Sequence, residues 1–386
     1  MTMAPPQRLR IAVLNRVFTP TAGGAERYSM ALIEQLASTH EIHVFAQRIE
    51  HNWPGVTYHR LSAPLTRPRW INQLWYDCAS WWATRRGFDI VHSHENSWHG
   101  QVQTIHVLPL KYNLFQGRSG WPLALRYLKV ATSPRLLAYL AIEHFRFAPR
   151  PGKLVVATSP ALRDVVLQVY PDCQVAVLAP GVALPLTAPD RPAARKRLGL
   201  PLAPRLLAFV ANDYAKKGLA TLLEALCQLP ADVDLAVVGD PRFIEKFSDL
   251  ASGLGLASRV HFLGYLKDVS ALYEAADMLV HPTLEDTFAM VVLEAMAHGL
   301  PVVVSDARYC GIAGLLTKGV DAMILSSPTD VAQLAQVIER VLSDAAQREQ
   351  LAAGARRFAQ QYAWPRVAGE QAAIYQQLRA PSRELS

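Results

Sequence analysis

An acidic pair, a basic pair and a run of histidines are the parts of this 386-residue chain whose types and spacing can do chemistry. Asp286 and Glu294 stand eight residues apart in HPTLEDTFAMVVLEAMAHGLPVVVSD, residues 281–306, which reads as a strand running into a helix. A helix beginning near Thr287 leaves the amides at Thr287, Phe288 and Ala289 unpaired at its positive end, which suits an anion such as a pyrophosphate. Asp286 would sit beside that anion and accept hydrogen bonds from sugar hydroxyls. Glu294, about 12 Å further along at roughly 1.5 Å per residue, would be placed to grip a ribose. Taken singly, Asp286 is equally a helix cap and Glu294 an exposed or paired helix residue. In ANDYAKKGLATLLEAL, residues 211–226, Lys216 and Lys217 precede Gly218 where a strand again gives way to a helix. Two cations beside a turn glycine neutralise a diphosphate, both when it binds and as charge builds on a leaving group. A solvated lysine pair is the plain alternative.

The first half holds weaker signals. FTPTAGGAERYSM places Gly23 and Gly24 after the first strand and at the mouth of a helix, with Glu26 and Arg27 next. Glycines there let the loop backbone pass close to a ligand that a Cβ would obstruct, although an ordinary strand-to-helix turn uses them as readily. His92, His94, His99 and His106 crowd into fifteen residues, yet there is no H-E-x-x-H pattern and no helical i, i+4 pair, so no metal site is expected. Gly239 and Gly264 end strands, leaving main-chain groups near 265–267 able to meet a base, or simply making tight turns.

The elements that must position these residues follow from short apolar runs. Strands are expected at 9–14, 42–45, 90–92, 103–107 and 154–158, with a helix at 26–36. A second set is expected at 205–210, 235–238, 260–263, 278–281 and 301–304. Two doubly wound parallel-sheet domains result, and PGVALPLTAPDRPAARKRLGLPLAP, residues 180–204, concentrates the prolines expected of the linker. The boundaries read as 1–183, 184–364 and a final helix over 365–386 that would return to the first domain.

Composition narrows the class. Half the residues are apolar, enough to bury two cores, and the four cysteines lie far apart with no C-x-x-C pair, which excludes a zinc ribbon or a disulfide framework and fits a cytoplasmic protein. No signal-peptide core and no run of about 18 apolar residues is visible, so any membrane contact is expected to be peripheral. Residues 1–180 carry 19 Lys or Arg against 10 Asp or Glu, a balance of +9 that leaves −2 of the net +7 to the remainder. Seven of the eight tryptophans share that basic half. Trp, Tyr and Leu interleaved with Arg and Lys, as in LTRPRWINQLWYDCASWWATRRGFD, suit the surface of an anionic membrane on its inner face. Core tryptophans with a basic rim are the alternative, and nucleic acid is the less economical partner.

The run from Asp286 to Glu294, with the following EAMAHGLPVVVSD, resembles the E-x7-E element of retaining glycosyltransferase family 4, whose fold is GT-B. The likeness extends through VVGD and VHFLGYLKDVSALYEAADMLVHPT and runs from about Leu9 to Trp364. Its Lys216–Lys217 form is similar to that of the lipopolysaccharide core glucosyltransferases. The resemblance implies two Rossmann-like α/β domains facing an interdomain cleft. It also implies a nucleotide diphosphate sugar as donor, a UDP-sugar first, with no cofactor or metal, and a glycan or glycolipid acceptor. By position it assigns Lys216, Lys217, Glu294 and the helix start to the donor, Gly23 and Gly24 to a loop beside the transferred sugar, and His106 to the neighbourhood of the anomeric carbon. Asp286 stands where the family usually has Glu, with Glu285 one place earlier. Either acid can reach the sugar, and the spacing to Glu294 favours Asp286. Many relatives have an arginine where Asn212 stands. A nucleotide-sugar epimerase and a catalytically silent sugar- or lipid-binding subunit are the competing readings.

Overall fold

The computed structural model describes residues 8–19, 24–65 and 67–379, and the chain forms two compact units. The first contains the described residues up to Gly181 together with those from Trp364 onward; the second is Val182–Ala363. The crossing after Gly181 comes two residues before the boundary suggested by the prolines, and the return at Trp364 one residue before.

Each unit is built on a parallel sheet. In the first, seven strands lie in the order Val56–Arg60, Glu41–Ala46, Arg10–Leu14, Ile90–Ser93, Val102–Ile105, Leu154–Ala157 and Val175–Val177. In the second, six lie in the order Val260–Gly264, Val233–Gly239, Arg205–Ala211, Met278–His281, Val302–Ser305 and Met323–Leu325. Numbered along the chain within each unit, both orders begin 3-2-1-4-5-6, the doubly wound Rossmann arrangement. Val233–Gly239 is buried at every position, as a strand covered by helices on both faces must be. Val56–Arg60, Val175–Val177 and Met323–Leu325 escape the sequence reading: all three are sheet-edge strands, the first half-exposed with polar residues breaking its pattern and the other two apolar but only three residues long.

Local chemistry sets the helix starts. Ser133-Pro134 and Ser159-Pro160 each put a serine at the cap, whose hydroxyl accepts from Leu136 or Leu162, and a proline at the first helical position, where its missing N–H costs nothing. The last helix, Trp364–Arg379, packs in the first unit: Val367, Ala368 and Tyr375 join Leu9, Ile11 and Ile33 in one core. Gly181 permits this, since a Cβ there would lie 2.4 Å from the Trp364 ring. Among the described residues no helix is long and apolar enough to cross a membrane, and Cys78, Cys173, Cys227 and Cys310 are all free.

Candidate functional site

In a doubly wound sheet, ligands bind beyond the carboxyl ends of the strands where the order reverses. In the second unit that point lies between Arg205–Ala211 and Met278–His281, so it is followed on one side by Lys216, Lys217 and Gly218 and on the other by 282–289. The two loops are bonded directly to each other. The Leu284 amide donates to the Lys216 carbonyl at 2.9 Å. Gly218 lies so close to Pro282 that a Cβ would sit 2.0 Å from its carbonyl oxygen, and its φ is +81°. Only glycine meets both demands.

Lys217 and Asp286 form the centre. The Lys217 ammonium donates to Asp286 Oδ2 at 2.7 Å and to the Glu285 carbonyl at 2.6 Å, which leaves its third N–H for a ligand. Oδ2 also meets His281 Nε2 at 3.3 Å, and His281 is buried. The other oxygen, Oδ1, accepts from the amides of Phe288 at 3.2 Å and Ala289 at 2.8 Å. Burial by itself would raise the Asp286 pKa, but the His281 hydrogen bond and the Lys217 charge outweigh it and hold the carboxyl well below the usual range. Asp286 is therefore an anion that fixes the lysine and the loop together. The Glu285 side chain is exposed and makes no recorded bond among the described residues.

The helix that follows is Met290–Ala297, so it starts three residues later than the sequence suggests. Residues 287–289 are loop instead, because Asp286 Oδ1 captures two of their amides and Ala289 turns into the left-handed region at φ 73°. Phe288 and Ala289 are consequently buried with their amides spent, and the amides without helical acceptors are those of Met290 and Val291. From Met290 to Glu294 the helical rise is only about 6 Å. The loop is stitched from beneath: Asp286 N donates to the Tyr309 carbonyl at 2.7 Å and Gly311 N to the Asp286 carbonyl at 2.9 Å.

Glu294 is half-buried, and its Oε2 accepts from the hydroxyl of buried Tyr273 at 3.0 Å. Its Oε1 has no hydrogen-bond partner among the described residues. Lys216 is exposed; its amide donates to Asp213 Oδ1 and its carbonyl accepts from Leu284, while its ammonium has no bond among the described residues. Tyr273 and His281 are parts of the site that sequence reasoning missed. His281 had one visible sign, a histidine ending a buried strand, but Tyr273 meets Glu294 only through the tertiary fold. Gly239 serves internal packing, since a Cβ there would lie 1.7 Å from the Ala211 carbonyl oxygen; a Cβ at Gly264 would meet only Pro241 Cγ, at an ordinary 3.9 Å.

In the first unit, Gly24 begins the helix Gly24–Leu36 with nothing near its missing Cβ, while Gly23 lies outside the described residues. His106 follows the strand Val102–Ile105, and its Nε2 is 3.4 Å from His94 Nδ1. Tyr28 lies edge-on to His106 with ring centroids 5.1 Å apart and to Trp364 at 5.5 Å. His92 is a core residue bonded to Tyr375 Oη at 2.6 Å and Thr104 Oγ1 at 2.7 Å. Burial pushes His92 and His106 down to about 3, with the charge of Arg146 also lowering His106, so both rings are neutral at physiological pH. A neutral His106 can share a hydrogen bond with a hydroxyl but carries no charge. Several aromatic and apolar side chains of the basic stretches are not core: Trp75, Trp81 and Trp82 on Arg69–Thr84 and Trp121, Leu125, Tyr127 and Leu128 on Gly120–Ala131 are exposed, whereas Trp70 is half-buried and Trp364 packs against the core.

Two parallel-sheet Rossmann-like units with these loops at a strand-order reversal define the GT-B class. Residues 22–185 match the family described as Glycosyltransferase Family 4 and residues 190–358 the family described as Glycosyl transferases group 1; the chain belongs to these glycosyltransferases. It is 34% identical over 169 residues to the lipopolysaccharide glucosyltransferase WaaG of Escherichia coli strain K12, covering 43% of this chain and 44% of that one. The crystal structure of WaaG superposes with a TM-score of 0.78 at 24% identity, over 95% of this chain and 99% of that one. Anabaena Alr3699/HepE, in complex with UDP and glucose, gives 0.74 at 20% identity over 96% and 100%. The chain spans about half the length of the curated relatives it matches.

Proposed function

We propose that this chain transfers a glycosyl group from a nucleotide diphosphate sugar, a UDP-sugar first, to a glycan or lipid-linked acceptor of the cell envelope, with lipopolysaccharide the preferred class. The observation that carries the reading is the Lys217–Asp286 pair at the strand-order reversal, 2.7 Å long, with a free N–H on Lys217 and an exposed Lys216 beside it. Lys216, Lys217 and the Met290 and Val291 amides take the diphosphate, Glu294 Oε1 takes the ribose hydroxyls, and Asp286 holds Lys217 on target with its edge toward the sugar. His106 accepts from or donates to a sugar hydroxyl as a neutral imidazole. In the reaction the bond from the anomeric carbon to the β-phosphate oxygen breaks, the acceptor oxygen bonds the same face of that carbon, and the acceptor proton passes to the departing phosphate. Configuration is thereby retained. The lysines and amides neutralise the leaving group, so the step is written without a metal.

The exposed Trp81, Trp82, Trp121 and Tyr127, set among Arg85, Arg126 and Lys129, support contact with the inner, cytoplasmic face of an anionic membrane. The test is acceptor-dependent release of UDP with EDTA present, using lipopolysaccharide core acceptors, and determination of the product's anomeric configuration. Release of UDP without any acceptor would favour the epimerase, and donor binding with no turnover over a broad acceptor panel would favour the silent subunit.

A further inference from the structure

A hollow of about 770 Å³ lies wholly within the first unit and is lined by Arg67, Pro68, Arg69, Trp70, Arg135 and Tyr139. Three guanidinium groups face one space, and none of them has an ion-pair partner among the described residues, although elsewhere in the chain arginines such as Arg10, Arg195 and Arg205 are paired with carboxylates. Their placement adds to the cost. Arg69 opens the helix Arg69–Thr84 and Arg135 lies in the first turn of Pro134–Phe147, and neither first turn contains an acid. Cations at the positive ends of two helices repel those ends as well as each other. Three guanidinium groups gathered without a counter-charge offer an anion from outside several charge-assisted hydrogen bonds at once. The remaining lining is aromatic and half-buried: Trp70 and Tyr139 present flat apolar surface beside the cations. A hollow of this size, lined by both guanidinium groups and aromatic rings, matches a small ligand rather than a single inorganic ion.

We infer that this hollow binds a phosphate-bearing saccharide, with the phosphate on Arg67, Arg69 and Arg135 and a sugar ring against Trp70 and Tyr139. The inference rests on the reading of the chain as a glycosyltransferase in one respect, that the ligand is taken to be the phosphorylated part of the acceptor. Bidentate guanidinium groups distinguish a phosphomonoester from a neutral hydroxyl, so the site would select acceptors already phosphorylated, and a kinase-type reaction must precede this one.

Binding is measured calorimetrically on the full chain with a panel of hexose and heptose phosphates, the unphosphorylated sugars, inorganic phosphate and phosphatidylglycerol vesicles. One or more sugar phosphates should bind more tightly than inorganic phosphate, and the unphosphorylated sugars should not bind. Arg135→Ala should weaken that binding about tenfold, the order of one charge-assisted hydrogen bond, and Arg67→Ala/Arg69→Ala/Arg135→Ala should abolish it. All three side chains are exposed, so the variants keep their fold, which the circular dichroism and thermal melt of the full chain check independently. Sugar-phosphate binding unchanged in the triple variant, or absent in the wild type at millimolar concentrations, overturns the assignment. A triple variant that loses only vesicle association overturns it in favour of a lipid headgroup. Loss of UDP binding in the wild type with sugar-phosphate binding retained would sink the donor reading and leave this site standing.

Discussion

Replacing Lys217 by Met keeps the length of the side chain and removes its charge, and the structure gives the consequences separately for folding and for chemistry. At 2.7 Å and an effective dielectric of about 20, the pair's gross attraction is about 6 kcal/mol. Little of that is net. Removing one partner of a buried pair costs about 3–5 kcal/mol, but both groups here are about a fifth exposed, at 21% and 17%, and Asp286 keeps His281 and two amides. A loss of about 2 kcal/mol follows, or roughly 4–8 °C in the melting temperature of a unit of this size. The acid limb should move as well. A carboxyl with a depressed folded pKa contributes stability that is fully present above its unfolded value of about 4 and is lost as pH falls through the folded value. Without Lys217 the depression shrinks, so the variant should unfold at a higher pH than the wild type on acidification. In turnover, removing a cation from the leaving group should cost about 100- to 1000-fold in kcat. Lys216→Met should weaken donor binding and leave the melting temperature unchanged, because its ammonium is exposed and makes no bond among the described residues. Calorimetry and initial rates on the two variants read both effects. If Lys217→Met turns over within about threefold of the wild type, less than ~1 kcal/mol of barrier, Lys217 does not act on the leaving group and the argument fails.

Tyr273→Phe removes one hydrogen bond from Glu294 and should weaken donor binding by about 1 kcal/mol, raising KM with kcat nearly unchanged; an equal fall in kcat would mean that Tyr273 acts elsewhere. Gly218→Ala should cost at least about 2 kcal/mol through the Pro282 clash, while Ala289→Gly, which relieves a left-handed alanine, should cost nothing measurable in thermal melts. His92 and His106, lowered to about 3 from ordinary values near 6.5, bind more protons when unfolded, so stability should be full above pH 6.5 and fall as pH drops toward 3. His106→Gln should flatten that slope in melts taken between those limits. Replacing Trp81 and Trp82 together should reduce association with anionic vesicles and spare UDP binding, since both are exposed; unchanged association would leave that surface without a membrane role.

Much of this fold is legible in sequence because strands buried on both faces are written as uninterrupted apolar runs, as in residues 205–210 and 235–238. Not every edge strand is: Val260–Gly264 is visible, but a strand like Val56–Arg60 buries only part of one face and its polar residues hide the period. The basic pair and the acids are visible for local reasons, the lysines from the turn glycine Gly218 beside them and the acids from their eight-residue spacing across a strand-to-helix junction. The exact helix start was not, because Asp286 captures the amides of Phe288 and Ala289 and delays the helix to Met290, an outcome set by the pull of Lys217 and His281 on the same carboxylate. Tyr273 illustrates the limit most simply: its partner Glu294 lies 21 residues away, and no period of helix or strand connects them.

The most direct test of the donor site is a thermal-shift titration of the purified chain with UDP-, GDP-, ADP- and CMP-sugars in EDTA. The account predicts stabilisation by one nucleotide sugar, a UDP-sugar first, that survives EDTA and amounts to about 2–3 kcal/mol at a hundredfold excess over Kd. No shift with any donor, or a shift that EDTA abolishes, would contradict it.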